Sequence, residues 1–72
     1  MEVGPDAEIL MFDRDCRIRA EFVNEIGIQT VYDNALCVFE SNDCYIVTNR
    51  DGEMGRHFKG NNTKVSYKII EE

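Results

Sequence analysis

Cys16, Cys37, Cys44 and His57 together make the ligand inventory of a Cys₃His zinc site. Structural zinc sites usually present a pair of ligands two to four residues apart, because one tight turn must aim both at the same ion. Here 20 and 6 residues intervene between successive cysteines, and no such pair exists. The turns Asp13-Arg14-Asp15 and Asn49-Arg50-Asp51-Gly52-Glu53 are rich in oxygen, yet neither carries the later bidentate Glu that completes a calcium loop. Asp and Asn are in any case the common residues of tight turns. No metal and no cofactor is therefore expected. An odd number of cysteines also argues against a closed disulfide framework and for buried, reduced thiols.

Nucleophilic catalysis needs a nucleophile, a base and a group that orients the base. His57 is the sole histidine, phosphate-loop and dinucleotide fingerprints are absent, and 72 residues leave little room for a substrate cavity. The chain is expected not to be an enzyme.

Two charged constellations remain. Residues 1–53 hold 12 acids against 4 Lys or Arg, whereas residues 54–70 hold Arg56, Lys59, Lys64 and Lys68 and no acid. With Asn61-Asn62 as a hairpin turn, alternation places His57, Lys59, Lys64, Ser66 and Lys68 on one face and Phe58, Val65, Tyr67 and Ile69 on the other. Like charges facing each other across a sheet are unfavourable, so the cluster Arg56, His57, Lys59, Lys64 and Lys68 is a candidate site for an anion or nucleic acid. Lysines on a solvated face or a blunted sheet edge are the simpler explanation. In the acidic part, Asp13, Asp15, Glu21, Glu25, Asp33 and Glu40 are candidates for a surface that meets a basic partner, with solubility as the plainer role.

The elements that must position these groups read as strands. Val and Ile number 13 and Leu and Ala only 5, a bias away from helix. After a loose arm at residues 1–7, strands are expected at 8–12, 16–22, 26–32, 36–40, 45–48, 54–58 and 63–70. Turns fall at 13–15, 33–34, 41–44, 49–52 and 59–62. Asp51-Gly52 supplies the positive φ of a tight hairpin. Residues 16–26 also fit a helix, capped by Asp15 with Ile18, Phe22 and Ile26 as its stripe. The expected fold is thus all-β, a small antiparallel meander or barrel-like sheet of 5–7 strands in one domain spanning 1–72. The alternative is an α+β fold with one helix near 16–26.

The segment 36–48 is apolar on both faces. Cys37, Phe39, Cys44 and Ile46 share one, and Leu36, Val38, Tyr45 and Val47 share the other. A single core covers one of them, so the second must meet another element, the N-terminal arm or another subunit. A homodimer is one solution, and small chains often rely on such help.

A net charge of −6 disfavours general binding to nucleic acid or anionic membrane. No apolar run reaches the roughly 20 residues of a membrane helix. The first residues do not read as a secretion signal. A soluble, cytoplasmic protein is expected. Its leading function is binding and regulation by occupying a partner protein's surface, as do small inhibitors or accessory factors of phage and mobile elements. The alternatives are a small-barrel nucleic-acid-binding module built on the basic hairpin and a structural homo-oligomeric subunit.

Overall fold

The computed structural model of the protein describes residues 7–60 and 65–72. Residues 1–6 of the expected arm, the Asn61-Asn62 turn and Lys64 lie outside them. The chain is all-β, with strands β1 (Glu8–Phe12), β2 (Ile18–Val23), β3 (Gln29–Ala35), β4 (Cys37–Glu40), β5 (Cys44–Asn49), β6 (Gly52–Phe58) and β7 (Ser66–Glu71). They form two antiparallel sheets, one of order β1-β4-β5-β6 and one of order β3-β2-β7.

Residues 18–23 are extended, not helical. Their burial alternates strictly, with Ile18, Ala20 and Phe22 inside and Arg19, Glu21 and Val23 less so. Strand neighbours on both sides satisfy the backbone, and the helical stripe through Ile26 is not used, since Ile26 lies 74% exposed beyond the strand. That segment is a turn rather than the start of a strand. The Asn24 side-chain oxygen accepts from the backbone N–H groups of Ile26 and Ile28, and Gly27 supplies a φ of 88°.

The Asp13–Cys16 turn is organised by Asp13 itself. Its carboxylate accepts from the Asp15 and Arg17 backbone N–H groups and from Arg17 Nε, while its carbonyl accepts from the Cys16 N–H. These bonds hold Cys16 at a φ of 57°. Asn34, the other described non-glycine residue at positive φ, tolerates this geometry better and lets β3 run straight on toward β4. Asp33-Asn34 is thus part of a strand, where a turn was expected.

The core lies between the sheets. Ile18, Ala20 and Phe22 from β2 and Ala35 from β3 meet Val38, Tyr45 and Val47 from β4 and β5. Phe22 is at the centre. Its ring stacks on His57 at 4.5 Å and 10°, and lies 5.7–6.2 Å from the rings of Tyr32, Tyr45 and Tyr67.

The last two strands do not form the expected hairpin. Seven residues separate Phe58 from Ser66, and β7 joins β2 in the other sheet while β6 pairs with β5. His57 stands opposite Tyr45 and Ser66 opposite Val23, not opposite each other. The face assignment of β6 is inverted as well, with His57 turned to the core and Phe58 outward, 66% exposed. The cause is β5, whose two faces are both apolar, so the period of β6 alone does not say which side is inside.

Candidate functional site

The basic residues do not converge. Arg56 lies beside Ile46 on the outer face and its guanidinium donates to Glu53 at 2.6 Å, while His57 points inward. Lys59 donates to Glu40 Oε2 at 2.7 Å and to the Ser41 carbonyl at 2.9 Å, with its ammonium over the Tyr45 ring. Lys68 is in the other sheet, opposite Glu21. The expected face of His57, Lys59, Lys64, Ser66 and Lys68 is therefore not formed by its described members, and Arg56 does not join them in a cluster. Alternation placed them together only because β6 and β7 were taken to be neighbours.

The acidic candidates are mostly engaged within the chain. Asp13 is 5% exposed and is no part of a surface; Arg17 beside it holds its carboxyl below the usual carboxylate range. Asp15 stands 3.9 Å from the same Arg17. Arg19 reaches both Glu21 and Asp33 at 3.2 Å, and Gln29 also donates to Glu21. Lys59 depresses the Glu40 carboxyl in the same way. Glu25, exposed in the β2–β3 turn, has no ion-pair partner among the described residues. Among those residues no three His, Cys, Asp or Glu side chains converge as a metal centre requires.

The unexplained surface is the outer face of the four-stranded sheet. Register places Ile9 and Phe12 of β1, Cys37 and Phe39 of β4, Cys44 and Ile46 of β5, and Phe58 of β6 on this side. The middle of the face is out of water, with Cys37, Cys44 and Ile46 all buried. Burial pushes the Cys37 thiol up, away from thiolate chemistry. The margins are open: Ile9 and Phe12 are 62% and 56% exposed, and Phe58 is another open apolar group. At one end a groove of about 510 Å³ opens between Phe12, Cys37, Thr48 and the turn at Arg50, Asp51 and Gly52. No protein family, curated protein or solved structure matches this chain.

The outer face of the three-stranded sheet is the opposite in kind. Arg19, Glu21, Gln29 and Asp33 knit it with hydrogen bonds and ion pairs, Lys68 sits among them, and Val31 and Ile70 are its apolar members, 39% and 36% exposed. That is the composition of a face in water.

Sequence reasoning isolated the second apolar face of residues 36–48 but missed the other members, Ile9, Phe12 and Phe58. Their signal was the apolar run Ile9-Leu10-Met11-Phe12, in which a bulge between Ile9 and Met11 sends Leu10 and Met11 to the core and leaves Ile9 and Phe12 outside.

A polar pair also went unforeseen. The Tyr32 hydroxyl and His57 Nε2 share a hydrogen bond of 2.7 Å between the sheets. Burial lowers the His57 pKa below its ordinary 6.5. The folded state then binds fewer protons than the unfolded chain, so stability is complete above about pH 6.5 and is lost as pH falls through the folded value. Melting temperature is expected to drop between about pH 7 and pH 5, and the drop to vanish in His57→Gln. An equal slope in that variant would assign the sensitivity elsewhere.

Proposed function

We propose that the protein is a small, non-catalytic binding protein that works by laying the apolar outer face of its four-stranded sheet on a partner macromolecule. The observation that carries this reading is the contrast between its two outer faces. One is laced with ion pairs around Val31 and Ile70, and the other leaves the larger Ile9, Phe12 and Phe58 more than half exposed at its margins, with a groove beside Ile9 and Phe12. Large exposed apolar side chains gathered on one face of a small chain, rimmed by polar residues, mark interaction sites. An inhibitor or accessory factor fits, since blocking a surface requires no catalytic group. Three free thiols fit a reducing, cytoplasmic setting.

The acidic surface is the weaker basis for binding, because Asp13, Asp15, Glu21, Asp33 and Glu40 already face arginine or lysine. The nucleic-acid reading loses support in the same way, with Arg56 and Lys59 both held by carboxylates.

Affinity capture from lysate with paired variants tests the assignment. Wild type and the acid-reversed variant Glu25→Lys/Asp33→Lys are expected to recover the same stoichiometric partner, and Phe12→Asp/Phe58→Asp to lose it. A partner that survives the second change and is lost with the first would move the working surface to the acids. Recovery of no partner at all, in lysate or as a copy of the chain, would remove the reading.

A further inference from the structure

We propose that the occupant of this face is a second copy of the chain, packed sheet against sheet about a two-fold axis, which rests on the reading of the face as a docking surface.

Charge favours a copy. The molecule carries −6 overall, so two copies repel over most of their surfaces. On the outer face the charged residues are Arg50 and Asp51 at the groove and Glu53 and Arg56 on β6, two of each sign. Arg56 and Glu53 are already paired, and Arg50 also donates to the Arg14 carbonyl. This patch is therefore neutral, and a second copy can approach it without meeting its own excess charge. A strongly basic or acidic partner would find nothing here to complement it.

Shape favours a copy as well. A two-fold interface is self-complementary: what protrudes at one point must be received at another point of the same surface. The face has both parts. Phe58 protrudes at the end where β5 begins, and the groove beside Phe12 opens at the end where β5 stops. The two lie diagonally across the face, so an axis in the plane of the face and perpendicular to the line between them brings Phe58 of one copy over the groove of the other.

Four strands about 4.8 Å apart, rising about 3.4 Å per residue, make a face roughly 19 by 20 Å, about 380 Å². The lower end of a specific interface is roughly 600 Å² per copy, so the exposed margins Ile9, Phe12 and Phe58 and the rim must supply the rest, and the dimer is expected to be weak. A third and fourth layer would also relieve the thin core of a sandwich only 17 Å deep across its shortest extent.

Sedimentation of the full chain from about 10 µM to about 1 mM tests this, since mass action drives association over such a range. Wild type is expected to reach twice 8.3 kDa and to hold that mass as salt rises, because screening removes repulsion and weakens no essential pair. Phe58→Asp and Phe12→Asp are expected to sediment as folded monomers, with circular dichroism unchanged. Val31→Asp, on the outer face of the other sheet, is expected to remain dimeric. A wild-type monomer at about 1 mM overturns the proposal. So does a dimer that both face variants leave intact. If wild type is monomeric yet captures another protein that Phe12→Asp/Phe58→Asp loses, the docking surface stands and only its occupant is wrong. A dimer and a capture both indifferent to that double change would sink the two together.

Discussion

Phe22→Ala is expected to cost about 3–5 kcal/mol. A domain of this length is stable by only about 4–11 kcal/mol, so the loss takes a large share of the margin and, at its lower end, all of it. The size of the effect follows from where the ring sits. Phe22 is 1% exposed on the central strand of the three-stranded sheet. It touches Tyr32 and Tyr67 from the strands on either side of it, and Tyr45 and His57 from the sheet opposite. One truncation therefore opens a cavity against both sheets, and the flanking rings cannot collapse into it without leaving their strands. Urea denaturation followed by tyrosine fluorescence and near-ultraviolet circular dichroism would measure it. Phe22→Leu, which keeps most of the volume, is expected to recover all but about 1.5 kcal/mol. Equal losses in the two variants would mean that the flat stack on His57 matters more than filled space.

The strands were legible because each carries a local signal. Ile18, Ala20 and Phe22 alternate with Arg19 and Glu21, and the same alternation appears as burial in β2. Asp51-Gly52 predicted the β5–β6 hairpin, and Gly52 adopts a φ of 130° there. The doubly apolar segment 36–48 predicted a strand pair with two faces to cover. Its face assignment holds in the register, with Val38 opposite Val47 and Phe39 opposite Ile46.

What failed was everything that depends on which strands are neighbours. Proximity in sequence suggested that β6 pairs with β7. Pairing β7 with β2 instead gives Phe22 a direct neighbour in Tyr67 and places Lys68 against Glu21. Neither gain is visible until both sheets exist. The basic face dissolved with that pairing; the acidic candidates are taken up separately, Glu40 by Lys59 and Glu21 and Asp33 by Arg19. The apolar face survived because it rests on β4 and β5, whose pairing is local.

Gly55→Ala is the second large effect and the more diagnostic, because strand propensity predicts the opposite sign. Alanine is a better strand residue than glycine, and the Gly55 backbone does not need a positive φ. The space is what matters. A Cβ on Gly55 would stand 2.7 Å from Tyr32 Cζ and 2.8 Å from Cε1, and closer still to the hydroxyl. The ring cannot withdraw freely, since it packs edge-on to both Phe22 and His57. Alanine is thus expected to push Tyr32 out, break its bond to His57 and leave the imidazole without that partner between the sheets. Overpacking of this kind and a lost buried hydrogen bond together cost about 2–4 kcal/mol. A double-mutant cycle isolates the cause. In a Tyr32→Val background the three atoms nearest to the added methyl are gone, and Gly55→Ala is expected to cost far less. The signal of Tyr32 contact with β6 is then the coupling between the two changes. If Gly55→Ala costs the same in both backgrounds, the ring does not rest on the glycine, and the link between β3 and β6 through Tyr32 and His57 is not what ties the sheets together at this point.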